Sequence, residues 1–295
     1  MKLFFAQNEE FEVIPGIPIG DWIATALEWL DDKLVALWEF LELVFDQSYE
    51  SLNEFLHLVP PLALIAVLVA IAWLARGWKI AVTSLIGFVL IRSMGMWDSS
   101  METLALILIA TAICIVVGVP IGILAAQNDR VSTAVRPVLD FMQTLHPFVY
   151  LPIVIAFFGI GAPPGLAATV IFAMPPAVRL TELGIRQVNA EMVEAGEAFG
   201  ASRSQILGKI QLPLSMPTVM AGVNQVIMLS LSMVVLAGLV GTPGLGEDIV
   251  LALGRVNVAG AVEAGIALAI IAIFLDRTTA AVGMRSKGKT AAAAA

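Results

Sequence analysis

The sequence has little of what catalytic and metal-binding sites are built from. It holds one cysteine and two histidines in 295 residues. A single cysteine excludes an internal disulfide and any cysteine-rich metal site. Cys114, between Ile113 and Ile115, reads as a small buried apolar residue. His57 reads as an interfacial residue outside the first apolar run, and His146, beside Pro147, as a satisfied bundle residue. No H-x-x-x-H spacing, paired carboxylate or serine elbow is present, so hydrolytic chemistry has no residues to carry it. Charge is scarce as well. Only 14% of residues are charged and 59% are hydrophobic, whereas an ordinary soluble domain carries about 25% charge. Nothing in the sequence suggests nucleic-acid binding, which needs a basic surface.

Long apolar runs take the place of charge, among them Pro60–Ala75, Leu104–Ala126 and Leu214–Val240. Runs of about twenty residues cross a bilayer as helices. Barrel strands would alternate apolar and polar residues, and these runs do not. The chain therefore reads as all-α, a polytopic helical membrane protein. Spans are expected at 60–75, 79–96, 103–126, 138–160, 163–181, 214–240 and 260–276, seven in all, the second interrupted by Arg92. On that reading twelve of the 16 Lys and Arg residues fall on one side, and only Lys2, Lys33, Arg92 and Arg255 on the other. The positive-inside rule then puts loops 127–137 and 182–213 and the C-terminus in the cytoplasm, and the N-terminus outside.

The net charge of −8 belongs to one end, since twelve of the 24 acidic residues precede residue 55. The first residues carry one lysine and an apolar stretch too short for a signal peptide. From Asp21 to Asp46, acids recur at helical spacing opposite Ile23, Leu27, Leu30, Leu34, Leu37, Leu41 and Phe45. That pattern is an amphipathic helix, resting at the membrane interface or against its own bundle. Its acidic polar face argues against attraction to anionic lipid. Three segments follow: an acidic tail 1–58, a membrane domain 59–283, and a basic, alanine-rich tail 284–295.

The most informative stretch is the polar loop 191–213, EMVEAGEAFGASRSQILGKIQLP. Glu191–Phe199 fits a short helix that Gly200 is suited to end. Ser202 and Gln205 have capping-box spacing and start a second helix, with Ile206, Leu207 and Ile210 on one face. Pro213 is expected to stop that helix and open the next span. The result is a helix–turn–helix knob suited to a groove on a cytoplasmic partner.

The order Glu194-Ala195-Gly196, Gly200, Ile210, Leu212-Pro213 resembles the EAA loop of binding-protein-dependent type I ABC importer permeases, with Gly196 where alanine is common. The stretches MQTLHPFVYLPIVIAFFGIG, PPAVRLTELGIRQV and MPTVMAGVNQVIMLSLSMVVLAGLVG narrow the resemblance to permeases of glycine betaine/proline-type importers, over roughly 100–283. The resemblance implies a type I permease fold, a coupling role for those loop residues, and a homodimer in the bacterial inner membrane. It implies two cytoplasmic ATPase subunits holding ATP and Mg, and an extracytoplasmic substrate-binding protein. No cofactor is expected in this chain and no ATPase site of its own. The implied cargo is glycine betaine or a related methylated amine, with choline, trimethylamine N-oxide, carnitine and proline open.

An ion-driven secondary transporter would favour paired inverted repeats, and none is evident. Gly283–Thr290 fits the phosphate-loop pattern G-x-x-x-x-G-K-[ST] but lacks a nucleotide-binding fold around it and reads as a basic juxtamembrane tail. For the translocation pathway the candidates are Asn224, Gln225, Met228, Ser230, Ser232 and Met233 on one span, with Phe148 and Tyr150. Amides and hydroxyls offer polar partners, methionines offer adaptable surface, and aromatic faces such as Phe141, Phe148 and Tyr150 attract methylated ammonium groups. Asp140 and Glu263 lie near span ends, where they are functional acids or simply solvated.

Overall fold

A chain this apolar must satisfy its backbone internally, and among the described residues it does so entirely with helices. The structure, a computed structural model, describes residues 19–293, with side chains from 20 to 281. The N-terminal stretch judged too short for a signal peptide lies outside the described residues. The chain divides into two units, 1–41 and 42–295.

In the first unit, the expected amphipathic helix is the opening of α1 (Ile19–Leu58), which is longer at both ends than its polar pattern and kinked at Leu34 (φ −116°, ψ 21°). The kink has a local cause. The Trp38 indole N–H donates to the Leu30 carbonyl at 3.4 Å, the acceptor that the Leu34 N–H would take in a straight helix.

The second unit contains the end of α1 and then α2 (Pro61–Arg76), α3 (Trp78–Ser93), α4 (Trp97–Gln127), α5 (Asp129–Thr144), α6 (Leu151–Phe158), α7 (Ala162–Arg186), α8 (Ala190–Ala198), α9 (Arg203–Ile206), α10 (Leu212–Leu239), α11 (Leu245–Gly254) and α12 (Val258–Ala293). Its centre is α7, packed between α10 and α4, with every residue from Ala162 to Val170 buried. Small residues allow this approach where no hydrophobic force drives helices together. Gly118 and Gly122 form a G-x-x-x-G step on α4, and a Cβ on Gly122 would lie 2.6 Å from the Val178 carbonyl oxygen of α7. Phe45, near the end of α1, packs on Phe158 of α6 at 5.7 Å between ring centroids.

Four helical segments are long and apolar enough to cross a membrane: α4, α7, the continuous Arg203–Leu239, and Val258–Ala281. The number rises to six if each of two bent helix pairs counts as one span. Two features separate this from the seven expected spans. Helices α2 and α3 have 16 residues each, about 24 Å at 1.5 Å per residue, short of a hydrocarbon core of about 30 Å. The expected span 138–160 is broken, with α5 and the segment Pro147–Phe158 meeting at 94°. Pro147 explains the break. The residue before a proline is pushed out of the helical region, and Leu145 and His146 are both extended (ψ 131° and 135°).

Helix α11 was not anticipated; it follows Gly244 and is anchored by a 2.8 Å hydrogen bond from the Leu245 N–H to Thr103 Oγ1 on α4. The Gly283–Thr290 stretch has helical backbone inside α12, not the strand–loop–helix that phosphate binding uses.

Candidate functional site

The loop after α7 builds a knob with defined stops. Asn189 caps α8 by accepting the Glu191 N–H at 3.0 Å, so the helix begins at Ala190, one residue before the expected Glu191. At its other end the Ala201 N–H donates to the Gly196 carbonyl at 3.0 Å and the Gly200 N–H to the Glu197 carbonyl at 2.9 Å. Those two bonds are a Schellman motif, with Gly200 at φ 75° in the left-handed position. Ser202 then opens α9 with a reciprocal capping box: the Gln205 N–H donates to Ser202 Oγ at 3.4 Å, and the Ser202 N–H to Gln205 Oε1 at 2.8 Å.

The two arms close on each other through Gly196. A Cβ there would lie 2.8 Å from Ile210 Cδ1 and 3.5 Å from Ile206 Cγ1, and Ile206 is buried. The Gly196-to-Ile210 spacing thus records a packing contact. Pro213, however, stops nothing. The chain runs as one helix from Arg203 to Leu239 by way of a π turn at Leu207–Gln211, where the Leu212 N–H bonds the Leu207 carbonyl. A proline ring clashes with the carbonyl four residues back in a regular helix. A wide turn immediately before it relieves that conflict.

Ala195, Leu212 and Pro213 lie along the same knob and its entry into α10, Ala195 and Pro213 exposed and Leu212 half-buried. Glu194 is exposed and makes no hydrogen bond or ion pair among the described residues, so it does not brace the knob. Phe199 is 92% exposed at the turn between the arms. It escaped the sequence reading, although an aromatic in an otherwise polar turn is a usable signal.

The pathway candidates separate by helical face. Gln225, Met228 and Ser232 share one exposed face of α10 with Ala221 and Leu239. Ser230 and Met233 lie on the opposite side, fully buried inside the fold of this chain. Asn224 ties α10 to α12: its Nδ2 donates to Asp276 Oδ1 at 3.2 Å and its Oδ1 accepts from Thr279 Oγ1 at 2.9 Å. Phe148 and Phe141 are exposed on either side of the α5–α6 bend. His146 caps the turn there, its Nδ1 accepting the Phe148 N–H at 3.4 Å and its ring stacking on Phe148. Tyr150 is buried and its hydroxyl reaches the Met142 carbonyl at 3.4 Å, bracing the bend from inside.

A helical membrane domain carrying a two-armed polar knob is what a transport subunit driven from outside its own chain has to present. The chain belongs to the family of binding-protein-dependent transport system inner membrane components, whose model matches residues 118–286. It is a multi-pass inner membrane protein and a permease subunit. Among its relatives, the glycine betaine transport system permease protein OpuAB of Bacillus subtilis is 45% identical over 276 residues, covering 94% of this chain and 98% of the relative. The glycine betaine/proline betaine permease ProW of Escherichia coli is 42% identical over 273 residues, covering 92% and 77%. The fold is similar to that of a chain of the inward-facing MetNI methionine ABC transporter, with TM-score 0.59 at 19% identity, over 65% of this chain and 95% of that one.

Proposed function

We propose that this chain forms the translocation pathway of an ATP-driven importer for glycine betaine or a closely related methylated amine. The observation that carries the cargo class is 45% identity to a glycine betaine permease along nearly the whole of both chains. Two copies pair around the pathway, two cytoplasmic ATPase subunits bind ATP and Mg, and an extracytoplasmic protein delivers cargo. Residues 59–283 are the permease domain and 191–213 the coupling loop, with the N-terminus outside and the C-terminus in the cytoplasm, an arrangement that requires α2 and α3 each to cross where the bilayer thins around them, giving an odd number of crossings. Glu194, Gly200 and Phe199 meet the ATPase, while Gly196 and Ile210 hold the arms together. Gln225, Met228 and Ser232, on the exposed face of α10, line the pathway with Phe148. ATP-driven closure of the ATPases moves the knob and turns the cavity outward, and hydrolysis resets it. A coupling of this kind requires contacts that differ between the two states.

The test is reconstitution of the chain with its ATPase and binding protein in vesicles, measuring labelled glycine betaine uptake with and without ATP. Uptake that needs both partners and ATP is the expected result. Uptake driven by an ion gradient without ATP would replace this reading with that of a secondary transporter.

A further inference from the structure

The most connected ion-pair cluster among the described residues joins α4, α5 and α7 just ahead of the coupling loop. Glu182 on α7 is 7% exposed, and one of its oxygens, Oε1, accepts hydrogen bonds from two side chains and forms an ion pair with a third. These are Ser132 Oγ at 2.7 Å and Arg136 Nη2 at 3.2 Å, both on α5, and Arg186 Nε at 3.0 Å, one turn along α7. Arg186 continues the chain of contacts to Asp129 at 2.7 Å and to the Ala125 carbonyl, in the last turn of α4, at 2.8 Å. A second pair, Arg179 with Asp140, bridges the same two helices further along. A cavity of about 310 Å³, lined by Arg136, Asp140, Arg179, Glu182 and Arg186 among others, lies beside them.

Apolar contacts between membrane helices fix their relative sliding poorly, because lipid offers equivalent contacts. A buried carboxylate with directed donors fixes it well, and setting register is the best-attested use of buried ion pairs. The position gives that register a consequence. Helix α7 ends at Arg186, and only Gln187, Val188 and Asn189 separate it from α8, the first arm of the knob. In the other direction, α5 leads straight into the bend at Leu145–His146 and to exposed Phe148.

We propose that Glu182 is a positioning residue for transport: with Ser132, Arg136 and Arg186 it clamps α5 to α7, so that displacement of α8 is delivered to the bent α5–α6 segment. This rests on the coupling-loop reading above.

The experiment uses the complete transporter in vesicles, with uptake and ATP hydrolysis measured on one preparation of Glu182→Gln, Glu182→Asp and Arg136→Gln. Arg136 has a side chain 64% exposed, so its variant decides the matter should Glu182→Gln fail to insert. The expected outcome is retained ATPase association and retained hydrolysis, with cargo moved per ATP reduced about fivefold or more, the lower end of typical coupling factors. Glu182→Asp should recover part of that ratio. A fall of uptake and hydrolysis in parallel, or an unchanged ratio in both Glu182→Gln and Arg136→Gln, overturns the proposal. Gly200→Val separates the two ideas. Normal uptake by that variant removes the coupling role of the loop itself, whereas a defect there beside normal Glu182→Gln and Arg136→Gln removes only the clamp.

Discussion

Gly200 sits at φ 75° with no heavy atom within 4 Å of where a Cβ would stand, so a side chain there meets strain rather than a clash. An L-residue in the left-handed region costs about 1–2 kcal/mol. Gly200→Val should therefore unwind the Schellman turn while the chain still inserts, and abolish or strongly reduce uptake in vesicles. Glu194→Ala tests a different cause. An exposed side chain without partners contributes within about 0.5 kcal/mol to stability, so thermal unfolding should be unchanged while ATPase stimulation falls; Glu191→Ala, outside the motif, should be mild in both assays. Gly196→Ala should keep full transport. The added methyl needs only the flexible end of Ile210 to turn away, and a helix gains up to about 1 kcal/mol when alanine replaces glycine. Residue types and spacing made the turn, the capping box and the apolar faces of the knob legible. They did not reveal the Glu182 cluster, because its α5 partners lie 46 and 50 positions away and only α5 folding back on α7 brings them together.

At the scale of elements, what the sequence conveyed was hydropathy, and hydropathy does not report bends. The stretch 138–160 is apolar enough to read as one span, yet Pro147 turns it through 94°. The proline was visible, but not whether the chain would kink, as membrane helices often do at proline, or break outright. The opposite error occurred at Pro213, where a stop was expected and a π turn carries the helix through. Helix faces were also partly hidden. With one chain's sequence, the polar and methionine residues of α10 all qualified for the pathway, and only the packing around α10 assigns Ser230 and Met233 to the interior and Asn224 to a tie with α12. That tie is testable. Asn224→Leu removes both bonds, each worth about 0.5–1.5 kcal/mol, while Asp276, with a side chain 34% exposed, keeps solvent and Thr279 keeps the Leu275 carbonyl. A lowered midpoint in detergent unfolding is expected, and a midpoint equal to that of the parent chain would show that the amide bears no load.

For the whole molecule, orientation and division of labour can be tested directly. Cysteines at Gln47 and Ser204, both exposed, should react with an impermeant reagent from opposite sides of the membrane, after replacement of buried Cys114; reaction from the same side would overturn the topology. Lys289→Ala should leave the ATPase activity of the assembled transporter intact, since the backbone around it is part of α12. The uninterrupted segment from Arg203 to Leu239 has 37 residues, about 55 Å at 1.5 Å per residue. Because the knob's second arm and the face bearing Gln225, Met228 and Ser232 belong to one rod, the angle between them is counted in residues. Removing one residue from the π turn would advance that face by about 100° against the knob, aiming a different set of side chains at the proposed pathway without altering any of them. On the proposed pathway, what passes is thus phased from the knob, by the number of residues between a turn and a proline.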